Sequence, residues 1–215
     1  NDHHCQGGAR MTPKVTAFIG VMGAGKDYRA GLLTQTGTVQ INFKDPLLDM
    51  ASDLVGYDVR GNYLWFKHVL AGIRKPENEF QASGLMQASK DIQRECPGAL
   101  TGRLLLQRLG TDVMRKRDPD YWANKWRDAA IKLMRQGHDV CIADCRFLNE
   151  VNAVMLAAEA SHGNREFVFC DYHSSQYNPK DRHESEKMAQ RLLSLGLKDG
   201  EIIPETLFSW GLPNA

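Results

Sequence analysis

The stretch Phe18–Leu33, "FIGVMGAGKDYRAGLL", decides how the rest of the chain is read. Gly20-Val21-Met22-Gly23-Ala24-Gly25-Lys26 matches the pattern G-x4-G-K. It directly follows Val15–Ile19, a short apolar run with the look of a buried strand, and opens a helix expected to reach about Leu33. Glycines so placed let backbone N–H groups converge on a β-phosphate, and the helix N-terminus adds positive potential. Lys26 would reach the β- and γ-phosphates as a point charge. Loop, lysine and strand–helix context agree on a nucleotide-binding loop. The next position departs from the pattern: a Ser or Thr hydroxyl there ordinarily ligates magnesium, and this chain has Asp27. A carboxylate beside phosphates is repelled unless a cation stands between them, and Mg2+ prefers oxygen ligands. Asp27 is therefore expected in a magnesium shell; the plainer alternative is an acidic residue favoured by the helix dipole.

Working outward, Thr38–Phe43 sets Val39, Ile41 and Phe43 on one side of a second strand. "KDPLLDMASDLVG" reads as a helix with Pro46 early and Gly56 at its end. From Tyr121 to Gln136, Trp122, Trp126, Ala129 or Ala130 and Leu133 recur at helical spacing before Gly137. "DVCIAD" is expected as a strand ending at Asp144, followed by a helix over Asn149–Ala160 with Val151, Val154, Met155 and Ala158 on one face. "EFVFCDY" is a further strand, a helix is expected near Met188–Leu195, and Ile202-Ile203 forms a last short strand. Strands alternating with helices argue for an α/β fold, a parallel sheet covered on both faces, which binds ligands beyond the carboxyl ends of its strands. Gly20, Asp144 and Asp171 should then surround one crevice.

With 215 residues the chain suits a single domain, here over residues 11–215. Residues from about Tyr57 to Gly102 are less regular and carry scattered Lys and Arg, as an insertion over the core would, and a monophosphate-binding insertion is expected over about 57–124. The first ten residues, "NDHHCQGGAR", read as a leader or expression remnant before Met11. A formal charge of +1 argues against a broad electrostatic footprint for long nucleic acid, so no stable nucleic-acid partner is expected. No apolar run approaches the ~18 residues of a membrane span and no secretory pattern opens the chain, which points to the cytoplasm. The five cysteines are scattered and match neither a zinc nor a redox spacing, so they are read as reduced thiols.

Three further clusters carry chemistry. Asp144 closes an apolar strand, where a second magnesium-positioning carboxylate belongs, and Arg146 projects from the same strand end toward the crevice. Asn149 reads as a cap at the next helix start, with Glu150 beside it either at the site or in a structural role. "GRLLLQRLGTDVMRKRDPDYWANKW" gathers Arg103, Arg108, Arg115, Lys116 and Arg117 around Gly110-Thr111, and forked guanidinium donors suit phosphate oxygens. Trp122 would stack on a base with Asn124 reading its edge, or else pack with Trp126 in the core. "DRHESEK" resembles a lid, over about residues 173–187, whose Arg182 closes on a triphosphate.

Taken together, "GAGKD", "FKDPL", "LLQRLGTDVMRKRDPDYW", "IADCRFLNE" and "RHESE", in order from Met11 to about Glu186, resemble the deoxynucleoside monophosphate kinase family of phages and prophages. That resemblance implies a three-layer P-loop kinase fold and transfer of the ATP γ-phosphate to a deoxynucleoside 5′-monophosphate, with ATP and Mg2+ as cofactors. Gly20, Met22, Gly23, Ala24, Gly25, Lys26, Asp27, Tyr28 and Arg182 would hold ATP. Lys44, Arg103, Gly110, Thr111, Arg115, Trp122, Asn124, Arg146 and Glu150 would hold or border the monophosphate, and Asp27 and Asp144 the metal. It also implies a homodimer in a phage-infected or prophage-carrying bacterial host. The chain departs from the family at Tyr28, where Thr is frequent, and at Leu148, where Pro is common. Two rivals stand beside this reading: a related kinase acting on a hydroxymethylated pyrimidine in phage DNA, and a module that binds ATP without transferring phosphate.

Overall fold

The computed structural model describes residues 12–61, 70–71, 100–171 and 187–209. The leader, most of the expected lid and Arg182 lie outside the described residues. The chain divides into two compact units, one formed by residues 1–42 and 126–215 and the other by Phe43–Lys125.

The first unit is built on a parallel sheet of β1 (Lys14–Ile19), β2 (Val39–Gln40), β5 (Val140–Ile142) and β6 (Asn164–Phe169), in the order β2-β5-β1-β6. Register runs Val15↔Val140 to Ala17↔Ile142 on one side of β1 and Lys14↔Asn164 to Ile19↔Phe169 on the other. Flanked on both edges, β1 is buried from Val15 onward, which is why apolar residues fill both of its faces with Thr16 buried among them. Helix α1 (Lys26–Thr34) packs on β1, β2 and β5, while α5 (Leu148–Ala160) packs on β1 and β6. The chain leaves β1 in one direction toward β2 and leaves β5 in the other toward β6. Right-handed crossovers then put α1 and α5 on opposite faces and open a switch point between the carboxyl ends of β1 and β5. Gly20 and Asp144 stand at those two ends.

Several expectations are corrected here. The second strand is only Val39–Gln40, although Ile41 N still donates to Cys141 O at 3.0 Å and the Asn42 side chain takes over by accepting from Ala143 N at 3.3 Å. The chain then turns into the next helix, so Phe43 does not extend β2. The Ile202 segment forms an antiparallel bridge to Val168 instead of a strand. On α4 (Tyr121–Arg135) the buried positions are Trp122, Ala123, Trp126, Ala130 and Met134, with Leu133 only half-buried. The α5 helix begins at Leu148 behind Phe147, so Asn149 lies inside the first turn and is not the cap. Its packing face holds Ala153 and Ala157 as well as Val151, Val154 and Ala158, small side chains that let a helix sit close on a sheet.

In the second unit, α2 (Asp45–Val55) ends on Gly56, whose φ of 78° is the left-handed cap a glycine accepts without strain. The antiparallel pair β3 (Leu70–Ala71) and β4 (Leu100–Thr101) leads into α3 (Gly102–Gln107) and a π-helical segment, Arg108–Arg115. Leu48, Ala51, Leu54 and Val55 of α2 pack with Leu105, Leu106, Leu109 and Val113 into one core. That packing places α2 in the unit whose irregular part was expected to begin only at Tyr57. The π-helical stretch was not foreseen, because its sequence has ordinary helical apolar spacing.

Candidate functional site

Burying a charge is costly unless it is paired or used. Among the described residues the buried polar or charged side chains are Thr16, Lys26, Asp144 and Glu150. Three of the four are charged, and all three belong to the loop after β1 or to the turn and helix start after β5.

The loop after β1 is shaped by its glycines. A β-carbon on Gly20 would collide with the Cys170 carbonyl oxygen, so β1 and the end of β6 approach this closely only without a side chain. Gly23 and Gly25 take φ of 82° and 79°, the left-handed region that returns the chain to α1. Gly25 caps α1 through its backbone alone, with no side-chain bond, which leaves the first-turn N–H groups directed at the loop. Lys26 is 6% exposed, and its Nζ donates to Gly20 O at 2.6 Å and Val21 O at 2.5 Å. The ammonium is thereby held over the loop, where a charged oxygen would outcompete the carbonyl acceptors. Asp27 is exposed in the first turn of α1, and among the described residues its carboxylate has no partner. Met22 and Tyr28 are also exposed.

The turn after β5 carries the second group. Asp144 is 9% exposed. Glu150 Oε2 accepts from Arg146 N at 2.6 Å and from Phe147 N at 3.1 Å. Phe147 has no side-chain acceptor, so only the reciprocal half of a capping box forms, from the third helical residue back to the cap. Between them Cys145 is fully buried, and burial first, then the charges of Glu150 and Asp144, push its thiol well above its ordinary pKa. Cys145 is therefore a neutral core residue. Arg146 is half-buried, and among the described residues its guanidinium makes no ion pair or hydrogen bond.

Beside Gly25 lies a cleft of about 540 Å³, lined by Gly25, Tyr28, Arg29, Leu32 and Asp199. Arg29 Nη2 pairs with Asp199 Oδ2 at 2.5 Å, and Asp199 Oδ1 accepts from Asp171 N at 2.8 Å. Tyr28 and Leu32, one helical turn apart, present exposed apolar surface to it. Sequence reading missed Arg29, Leu32 and Asp199, since nothing local shows that the loop at Lys198–Gly200 returns to α1.

The remaining expected residues lie in the second unit. Lys44 caps α2, and Gly110, Thr111 and Arg115 lie in the π-helical segment. Thr111 is exposed; Arg115 and Asn124 are half-buried. Arg103 lies in α3, its side chain outside the described residues. The stacking role for Trp122 is corrected: the residue is 3% exposed and its indole N–H donates to Gly110 O at 3.0 Å. Trp122 is thus buried and pins the π-helical segment through Gly110.

A parallel sheet with a glycine loop and a buried lysine between its central strand and first helix defines an α/β protein whose loop has the form expected of a phosphate-binding loop. No family model matches the chain, and no curated protein matches it. Among solved structures the chain is similar to the Mycobacterium tuberculosis APS kinase CysC in a point-mutant form, at 15% identity and a TM-score of 0.37, over 86% of this chain and 96% of that one. No helix among the described residues is long and apolar enough to cross a membrane.

Proposed function

We propose that this chain is an ATP-dependent kinase transferring the γ-phosphate of ATP to a deoxynucleoside 5′-monophosphate. The observation that carries the proposal is the burial of Lys26, Asp144 and Glu150 at the switch point, next to an Arg146 without an ion partner among the described residues. A lysine held on loop carbonyls and an unpaired arginine together suit a polyanion whose charge must be neutralised as it moves. Asp27 and Asp144 are hard oxygen donors of the kind Mg2+ takes, and they would hold that ion. Mg2+ supplies neutralisation of the β- and γ-oxygens when bound. No side chain needs to remove a proton, because a monophosphate oxygen is already a nucleophile.

In this reading the base of ATP lies in the cleft of Tyr28, Arg29 and Leu32. An exposed aromatic ring and an aliphatic neighbour accept a flat π-surface, and Gly25 connects the cleft to the loop. Tyr28 thereby gains a role that a threonine at that position lacks. The acceptor is assigned, on the resemblance of motifs, to Lys44, Arg103, Gly110, Thr111, Arg115 and Asn124. Cytoplasmic DNA-precursor supply and a homodimeric state belong to the same proposal.

The test is a panel of each deoxynucleoside monophosphate, its ribose counterpart and duplex DNA carrying hydroxymethylated pyrimidine, incubated with ATP and Mg2+. A diphosphate product from at least one deoxynucleotide is expected. Phosphorylation confined to the DNA would replace free nucleotides with a modified base as substrate. Tight ATP binding with no phosphorylated product anywhere would leave only the interaction module.

A further inference from the structure

We infer that Glu150 is a positioning residue that sets the Asp144–Phe147 turn and so aims Arg146, and that it does not itself contact the substrate. The inference rests on the kinase reading for what Arg146 does, and on geometry for what Glu150 does. Its carboxylate is 3% exposed, and one oxygen, Oε2, takes both the Arg146 and the Phe147 N–H at 2.6 and 3.1 Å. These two amides precede the first turn of α5, where no helical carbonyl is available to them. Without Glu150 the turn would have two inward N–H groups to satisfy and would shift to reach water. Arg146 would shift with it, because the same peptide carries its side chain. Asp144 precedes Arg146 by one buried residue, Cys145, and depends on the same path.

Because both turn amides meet the same oxygen, the turn-setting role is separable from the charge. Gln has one carbonyl oxygen at the same reach and can accept both bonds, whereas a metal or phosphate-bridging role for Glu150 would need the negative charge. Asp keeps the charge but is one methylene shorter. Glu150→Ala is expected to lower kcat by about 100-fold, as misplacement of a positioned group by ~1 Å does, while the KM for ATP stays near that of wild type. Glu150→Gln should restore most of kcat, and Glu150→Asp should resemble Glu150→Ala. A Gln variant as impaired as Ala, or an Asp variant as active as wild type, would overturn the inference. Should Glu150→Ala fail to fold, the Gln and Asp pair still decides it.

Amide hydrogen exchange at Arg146 and Phe147, read without any nucleotide, separates this inference from the proposed function. Protection is expected in wild type and Glu150→Gln and its loss in Glu150→Ala, whether or not any monophosphate is phosphorylated. Equal exchange in all three proteins would remove the hydrogen bonds on which the role rests. An inactive wild type with the expected exchange pattern would sink the kinase reading and leave the turn-setting role standing.

Discussion

The Gly20 carbonyl oxygen accepts a hydrogen bond from Lys26 Nζ at 2.6 Å, across the loop that both residues delimit. The bond stores the ammonium where phosphates would arrive. Lys26→Ala is expected to reduce phosphate transfer by about 10²- to 10³-fold, the range for removing one preorganised charge donor. Circular dichroism should show the same helix and strand content, because the sheet does not depend on that side chain. Turnover like wild type in a coupled ATPase–kinase assay would remove the site.

Gly20 itself should resist substitution. A β-carbon there meets the backbone of Cys170, which cannot rotate away as a flexible side chain would. Gly20→Ala is expected to destabilise by about 1–3 kcal/mol, the usual cost of overpacking. Urea unfolding would read this as a lower midpoint at unchanged slope, and an unchanged midpoint would count against the close approach of β1 and β6.

Asp27 offers a metal-specific prediction. Its carboxylate is exposed at the start of α1 beside the loop. Asp27→Ala should raise the magnesium concentration needed for half-maximal activity while leaving ATP binding in metal-free buffer unchanged or slightly tighter, since a repulsive charge is lost. A magnesium titration of activity beside calorimetry in chelator compares the two. If neither changes, the residue serves only the helix dipole.

Tyr28 and Leu32 should matter to ATP and not to its phosphates. Loss of one base–aromatic stack costs about 1–3 kcal/mol, so Tyr28→Ala is expected to raise the KM for ATP about tenfold or more. Inhibition by inorganic tripolyphosphate should stay as in wild type. An equal loss for both ligands would move Tyr28 from the base to the phosphates.

Acid stability should report the Arg165–Glu205 pair. Arg165 Nε donates to Glu205 Oε1 at 2.7 Å, and that bond holds the Glu205 carboxyl below its ordinary value of 4.5. A depressed folded-state pKa means the native state binds the proton less readily than the unfolded chain. The contribution is therefore present above pH 4.5 and is lost as pH falls through the depressed value. Glu205→Gln should flatten the acid limb of a melting-temperature profile below pH 4.5, by a modest amount because Glu205 is exposed and Arg165 only half-buried. An acid limb as steep as in wild type would show that other carboxylates set it.

The loop from Gly20 to Lys26 was legible at once, because glycine spacing, lysine and helix start are local features that act together wherever the chain goes. Asp144 and Arg146 were legible as the end of an apolar strand. Glu150 was visible as a carboxylate, yet its role depended on the bend at Cys145–Phe147, which no periodicity encodes. Trp122 had two readings of equal spacing, and only the position of Gly110 O decided between them.

The amino-acid sequence by itself determined the main strands and helices of the sheet, the parallel α/β class and the glycine loop with its lysine, since these follow from short-range pattern and backbone freedom. The tertiary structure alone decided which charges are buried together, that α2 packs with the Leu105–Val113 segment, and that Asp199 returns to Arg29 beside Tyr28. Those outcomes depend on which strand lies next to β1 and on which carbonyl each donor meets. Burial and hydrogen-bond partners join residues more than a hundred positions apart, as Arg29 and Asp199 show, and spacing along the chain carries no record of them.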